Sequence, residues 1–300
     1  MVLLACGLPL LTSSCLTAPP PGDALPKDTQ PPSVITPPTE TAQAAAPIPE
    51  TTQTLPADWY EFYTAVGLAP DEILPIFAEA SISSARCGEL PSAAKSIHSS
   101  GAQTEAEGIT WLRINYQGET GWVDKAFLAY QEGDLPDELV ALAQWTASNL
   151  KDHNYQNLKN IIHPEICLRF SPYPFLNESD LTFCPGDLDS LYESDSLYTW
   201  GQFDGSGEPI ELSFADYHQR FIYDQDFFQP EIVGLNQEVS SGNAINNIPD
   251  IFPDGMIVEY HFPGIDPQYG GMDWRSLRLV FVQKNGIWYL AALVHGEWTI

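Results

Sequence analysis

Five of the six histidines fall in the second half of the chain, at His153, His163, His218, His261 and His295, where imidazoles could act as acids or bases. Asp216, Tyr217, His218 and Arg220 crowd one short segment, and His261 stands beside Glu259 and Tyr260. A carboxylate or imidazole base next to a phenol donor can move protons, provided that the fold brings them to one substrate. Spacing gives no further support. The sequence holds no His-Glu-x-x-His, no Gly-x-Ser-x-Gly and no phosphate loop. Asp204-Gly205-Ser206-Gly207-Glu208 lacks the spacing of a calcium loop and reads as a turn. Neither a metal site nor a cofactor is expected. Arg169, Arg275 and Arg278 are rare cations in an acidic region, and each should pair with a carboxylate. Trp274 and Arg275, next to Asp273 and a glycine-rich loop, make the best candidate binding rim.

The elements that would hold these groups can be read from periodicity. Leu277, Leu279 and Phe281 alternate with Arg278, Val280 and Val282, so Trp274–Gln283 reads as a strand. Lys284-Asn285-Gly286 is a hairpin turn, because a type I′ turn needs positive φ at both central residues. Ile287–Leu293 returns as the second strand, with Trp288, Leu290 and Ala292 facing the first. Met256–Phe262, Leu197–Phe203 and Leu168–Pro172 read as further strands. Helices are expected after Leu135 with Asp137 as cap, over Tyr155–His163, and over Ser213–Tyr223 with Ser213 as cap. Helices first and long antiparallel strands last imply an α+β fold for 136–300.

The chain has 300 residues, 40 acidic against 12 basic, and a formal net charge of -28. Such a surface repels phosphate backbones, so nucleic acid is excluded as a natural partner and cations or basic partners are favoured. Five cysteines occur without any Cys-x-x-Cys pair. In an oxidising compartment Cys167 and Cys184 are the expected disulfide, adding about 3 kcal/mol, with Cys87 as a small hydrophobe. Three reduced, buried thiols are the alternative.

Residues 1–16 form an apolar run too short to span a bilayer, and it resembles a bacterial lipoprotein signal. Cys6 (after Leu3-Leu4-Ala5) or Cys15 (after Ser13-Ser14) would carry the lipid. No Lys or Arg precedes either, which points to a start codon further upstream. A plain signal peptide cut near Ala18 is the other reading. Residues 17–58 are rich in Pro, Thr, Ala and Gln, cannot bury enough apolar surface to fold, and read as a disordered tether.

Two family resemblances follow. Gly108-Ile109-Thr110-Trp111-Leu112-Arg113-Ile114-Asn115-Tyr116, the Gln117-Gly118 turn, Glu119-Thr120-Gly121-Trp122-Val123 and the closing Phe127-Leu128 together resemble a bacterial SH3 (SH3b) domain over 60–130. At its amino end Leu74–Ala80 stands where that family has an Asn-x-Arg strand and a Gly-Pro-Gly loop. The resemblance implies a small all-β SH3-like barrel, with Trp111, Tyr116 and Trp122 as contacts for cell-wall peptide. The carboxyl-terminal order of elements, closed by Lys284-Asn285-Gly286-Ile287-Trp288-Tyr289-Leu290, is similar to the NTF2-like (cystatin-like) cone and to uncharacterised domains of bacterial lipoproteins. In an enzyme of that kind Asp216, Tyr217 and His261 would be the acid–base set.

The expected protein is therefore multidomain: a signal, a tether, an SH3-like barrel and an NTF2-like cone. It would be an extracytoplasmic, lipid-anchored binding protein of the cell envelope, non-catalytic, with wall peptide, a small ligand or another envelope protein as partner. A small-molecule isomerase or hydrolase and a structural assembly role are the alternatives.

Overall fold

A computed structural model describes residues 59–240, 242 and 244–299. The expected signal, the tether, Cys6 and Cys15 lie outside the described residues. The first seven strands are β1 (Glu61–Ala65), β2 (Ile73–Phe77), β3 (Arg86–Pro91), β4 (Ile97–Ala106), β5 (Ile109–Tyr116), β6 (Glu119–Asp124) and β7 (Leu128–Gly133). After helix α1 (Asp137–Lys151) and the single turn α2 (Tyr155–Leu158) come β8 (Leu168–Ser171), β9 (Thr182–Phe183), β10 (Tyr198–Gln202) and β11 (Pro209–Leu212). A second single turn, α3 (Phe214–Tyr217), precedes β12 (Ile232–Leu235), and a third, α4 (Ile248–Ile251), precedes β13 (Met256–Phe262), β14 (Arg275–Lys284) and β15 (Ile287–Glu297).

Thirteen of these strands form one mixed sheet in the order β3-β2-β6-β5-β4-β1-β7-β12-β13-β14-β15-β8-β9, and β10-β11 stand apart as a hairpin. This corrects the expectation of a separate SH3-like barrel followed by an α+β NTF2-like cone. β7, which starts at Leu128 of the closing Phe127-Leu128 pair, pairs antiparallel with β1 on one side and parallel with β12 on the other. The sheet therefore runs on through the expected boundary at 130–136, and the described residues fall in one compact unit. Helix is also scarcer than expected. The segments at 155–163 and 213–223 each begin as one α-turn and continue as 3-10 or π turns. Asp137 lies inside the first turn of α1, and Pro136, which makes no side-chain bond, holds the cap position.

The largest core packs α1 residues Leu139, Ala143 and Leu150 against Leu277, Leu279 and Phe281 of β14 and the aromatic residues Trp200, Phe214 and Tyr217. A smaller core of Ile76, Leu90, Leu112, Ile114 and Val123 fills the space inside β1–β7. The far face of β14 and β15 is covered too, by Leu176 and Ile248 over Val280, Ala292 and Val294. Asn285 and Gly286 both have positive φ at the last hairpin turn, as a type I′ turn requires. In β15 the pairing shifts between Val280 and Phe281 of its neighbour, so Ala291 is an extra residue. That bulge lets both Leu290 and Leu293 reach the largest core although three positions separate them.

Candidate functional site

Two neighbouring places gather polar side chains: an open groove and a buried seam on the central strands. The groove begins with the β10-β11 hairpin. Trp200 points inward, stacks on Tyr217 at 3.8 Å and donates Nε1–H to Leu212 O. By strand alternation Thr199 and Gly201 then face outward. Gly201 sits at a register shift with φ 110, a backbone geometry that glycine adopts without Cβ strain. The hairpin tip is tied to the facing loop, since Asp204 N–H donates to Tyr173 Oη at 3.2 Å. Asn247 fixes the third wall. Its Oδ1 accepts from Leu176 N–H at 2.7 Å and its Nδ2–H donates to Leu176 O at 3.0 Å.

These three segments enclose a groove of about 1030 Å³, with Tyr173, Phe175, Phe203 and Ile245 as apolar walls and Asn177, Ser179, Thr199 and Gln202 as polar ones. Phe175 and Ile245 are 45% and 71% exposed. Asp204 is the one carboxylate among the lining side chains, and none of them is a cation. Beneath it, Asp180 accepts Asn177 N–H at 2.9 Å. Burial pushes the Asp180 carboxyl up to about 6, against the opposing pull of Asn177 N–H and Arg169.

The seam lies across β13 and β14. Glu259 stands opposite Arg278, and His261 opposite Ser276. Cross-strand partners share a face, so the four side chains meet. Ser276 Oγ donates to Glu259 Oε1 at 2.7 Å, and His261 Nδ1 lies 2.7 Å from the same hydroxyl. Because Ser276 gives its proton to Glu259, it accepts from His261 and is not activated as a nucleophile. Arg278 Nη2 lies 3.1 Å from Glu259 and 3.3 Å from Glu238, and it also bonds Ser240 Oγ. Burial alone would raise Glu259, but Arg278, Ser240, Val239 N–H and Ser276 outweigh it and hold the carboxyl below its ordinary range. Burial lowers His261, with Glu259 opposing.

On the other face of the same strands Arg275 pairs with Asp224 at 2.8 Å and Glu297 at 3.4 Å. Arg220 pairs with Glu297 at 2.7 Å, and His295 sits between Pro172 O and Asp224. Burial would raise Asp224, but His295 and Arg275 hold it below its usual range. Arg275 and Arg278 thus find the carboxylate partners expected of them.

The proposed acid–base set occupies three different environments. Asp216 is exposed and closes a cap with Ser213, whose Oγ donates to its Oδ2 at 2.7 Å. Tyr217 is fully buried on Trp200, and burial pushes its phenol well up. His261 lies in the seam. No hydrogen bond or ring contact joins the three among the described residues. His218 is buried as well: Nδ1 meets Tyr155 Oη at 2.7 Å, and burial lowers the imidazole to about 3.

The candidate contacts at the other end of the sheet are divided as well. Trp111 is 1% exposed and donates Nε1–H to Ala106 O. Trp122 is half-buried on the same face, opposite Arg113, whereas Tyr116 lies on the opposite face against the smaller core. Trp274 is buried rather than rim-forming, and Cys167 is bonded to Cys184. Among the described residues no cluster of His, Cys, Asp or Glu could hold a metal ion. Sequence reasoning missed the groove, reading its Gly201–Gly207 hairpin only as a strand and turn. The one signal for it was that density of glycine beside Thr199 and Gln202. Comparison with family models, curated proteins and solved structures returned no match.

Proposed function

We propose that this chain is a non-catalytic binding protein of the bacterial cell envelope, held to a membrane by a lipid on Cys6 or Cys15. Its groove receives an uncharged cell-wall chain rich in hydroxyl and amide groups. One observation carries the reading. The groove is lined mostly by aromatic, amide and hydroxyl side chains, with Asp204 as its one carboxylate, while Glu259, His261 and His295 are buried and, with Asp224, engaged in hydrogen bonds and ion pairs within the protein. Exposed aromatic faces pack on sugar or peptide planes, and free amides such as Gln202 match polar neutral ligands. The leader-like residues 1–16, the proline-rich 17–58 and the Cys167–Cys184 bond support an extracytoplasmic setting.

The test is co-sedimentation of the full chain with purified peptidoglycan at physiological salt. The intact protein should sediment with it, and the double variant Phe175→Ala/Gln202→Ala should stay in solution with its melting midpoint within about 2 °C of the parent. An intact protein that remains in solution, or a variant that still sediments, overturns the reading.

A further inference from the structure

Arg220, Arg275 and Arg278 each pair with a carboxylate. Arg86 and Arg113 do not. Both are exposed, and neither guanidinium has a hydrogen bond or ion pair among the described residues, although the chain carries 40 acidic residues. Each lies instead near an aromatic ring, Arg86 at 5.9 Å from the centre of Phe77 and Arg113 at 5.9 Å from that of Trp59. A ring at that distance steadies a guanidinium and leaves its N–H donors free.

The sheet register sets these groups in one row. Arg113 of β5 stands opposite Trp122 of β6, Trp122 opposite Phe77 of β2, and Phe77 opposite Arg86 of the edge strand β3. Directly opposed residues share a face. This face turns away from the smaller core, which takes Ile114, Val123 and Ile76 from the same strands. Phe77 also packs edge-on against Trp111, with ring centres 5.5 Å apart. The row is therefore an apolar strip with an unpaired guanidinium at each end. Two carboxylates on the same face leave it so: Asp124 accepts Ala126 N–H, and Glu89, opposite Pro75, makes no ion pair with either arginine.

Charge and spacing then select the partner. A planar guanidinium with free donors matches a carboxylate. The net charge of -28 repels a dense polyanion, so few and spaced carboxylates fit better. Trp59 and Trp122 are half-buried, and Phe77 and Trp111 are buried, so no open ring face is offered to a sugar. Three strand spacings separate the arginines, about 14 Å along the sheet. An extended peptide advances about 3.3 Å per residue, so carboxylates four residues apart span the strip and project to one side. We infer that β5, β6, β2 and β3 present a docking surface for an acidic peptide segment of a partner protein, with one carboxylate on Arg113, another on Arg86 and an apolar side chain between them over Trp122 and Phe77. None of these residues lines the groove, and the docking does not depend on what the groove receives.

The probe is a blocked pentapeptide, acetyl-Glu-Thr-Val-Thr-Glu-amide, titrated calorimetrically into the full chain. It should bind at one site. The Gln-Thr-Val-Thr-Gln form should bind about tenfold more weakly, and the isomer Glu-Glu-Thr-Val-Thr, whose adjacent carboxylates point apart, about threefold more weakly. Arg86→Gln and Arg113→Gln should each weaken the probe about threefold and together about tenfold. Both side chains are exposed, so the melting midpoint of the double variant should stay within about 2 °C of the parent. Lys151→Gln removes the same charge from a distant surface ion pair and should leave binding unchanged. Absence of binding, equal binding of the adjacent isomer, affinity unmoved by the double variant, or an equal loss in Lys151→Gln overturns the assignment. Tighter binding of an oligogalacturonate trimer than of the peptide overturns it in favour of an acidic glycan.

Discussion

In the seam, Glu259 and Arg278 are almost wholly buried, and Glu259 takes contacts from Arg278, Ser276 and Val239 N–H. In the groove, a short distance along the chain from Glu238 to Ile245, the side chains of Ser179, Thr199 and Gln202 are exposed and make no hydrogen bond among the described residues. The first arrangement fixes the central strands. The second contributes little to folding and presents its polar groups to whatever enters. Where perturbed acids and bases cluster in this molecule, as in the seam, they pair across neighbouring strands.

The sharpest way to break this comparison is Arg278→Met. It strands the Glu259 carboxylate in the interior, and denaturant unfolding should show a loss of about 3–5 kcal/mol. Adding Glu259→Gln should recover much of it, because the uncompensated charge is gone. A loss under about 1 kcal/mol would mean that the seam is not a framework.

A smaller effect is expected from Cys167→Ser/Cys184→Ser. The bond spans a sequence separation of 17, and the groove wall at 173–179 lies inside the closed loop. By chain entropy its removal should cost about 3 kcal/mol in the same measurement, and peptidoglycan retention should weaken because the wall loosens.

The smallest difference concerns pH. Asp180, which supports the groove wall, is raised from 3.8 to about 6 by burial. Between those values the folded chain holds a proton that the unfolded chain has lost, so Asp180 subtracts stability as pH rises from about 4 to 6. His218 is lowered from 6.5 to about 3 and works the other way, subtracting stability as pH falls through that window. Unfolding midpoints of Asp180→Asn against pH should therefore gain on the parent from pH 4 to 6. A constant offset would show that the carboxyl titrates normally.

The parts of this fold visible in sequence are those fixed by neighbours in the chain. Asn285-Gly286 dictates its turn, Met256–Phe262 alternates into its strand, and Ser213 caps its helix by bonding Asp216 N–H. The seam was half visible. Arg278 and Glu259 were singled out, but their pairing depends on a strand register that only the folded sheet defines. The alternation in β14 suggested one apolar face, yet the second face is covered as well, because Leu176 and Ile248 arrive from distant loops. The groove had only its glycine-rich hairpin as a local signal, since its walls come from separated segments with no common spacing. The two-body reading failed for a related reason: nothing local to 128–133 announces a parallel partner at 232–235.

That same pairing constrains how the chain can be made. As it emerges from a ribosome, β7 gains β1 at once, but its other edge must wait roughly 100 residues for β12. Throughout that interval one row of amides and carbonyls along 128–133 stands bare, open to the matching edge of another nascent copy. Export in an unfolded state, or a holding chaperone, would carry the chain safely past this stage.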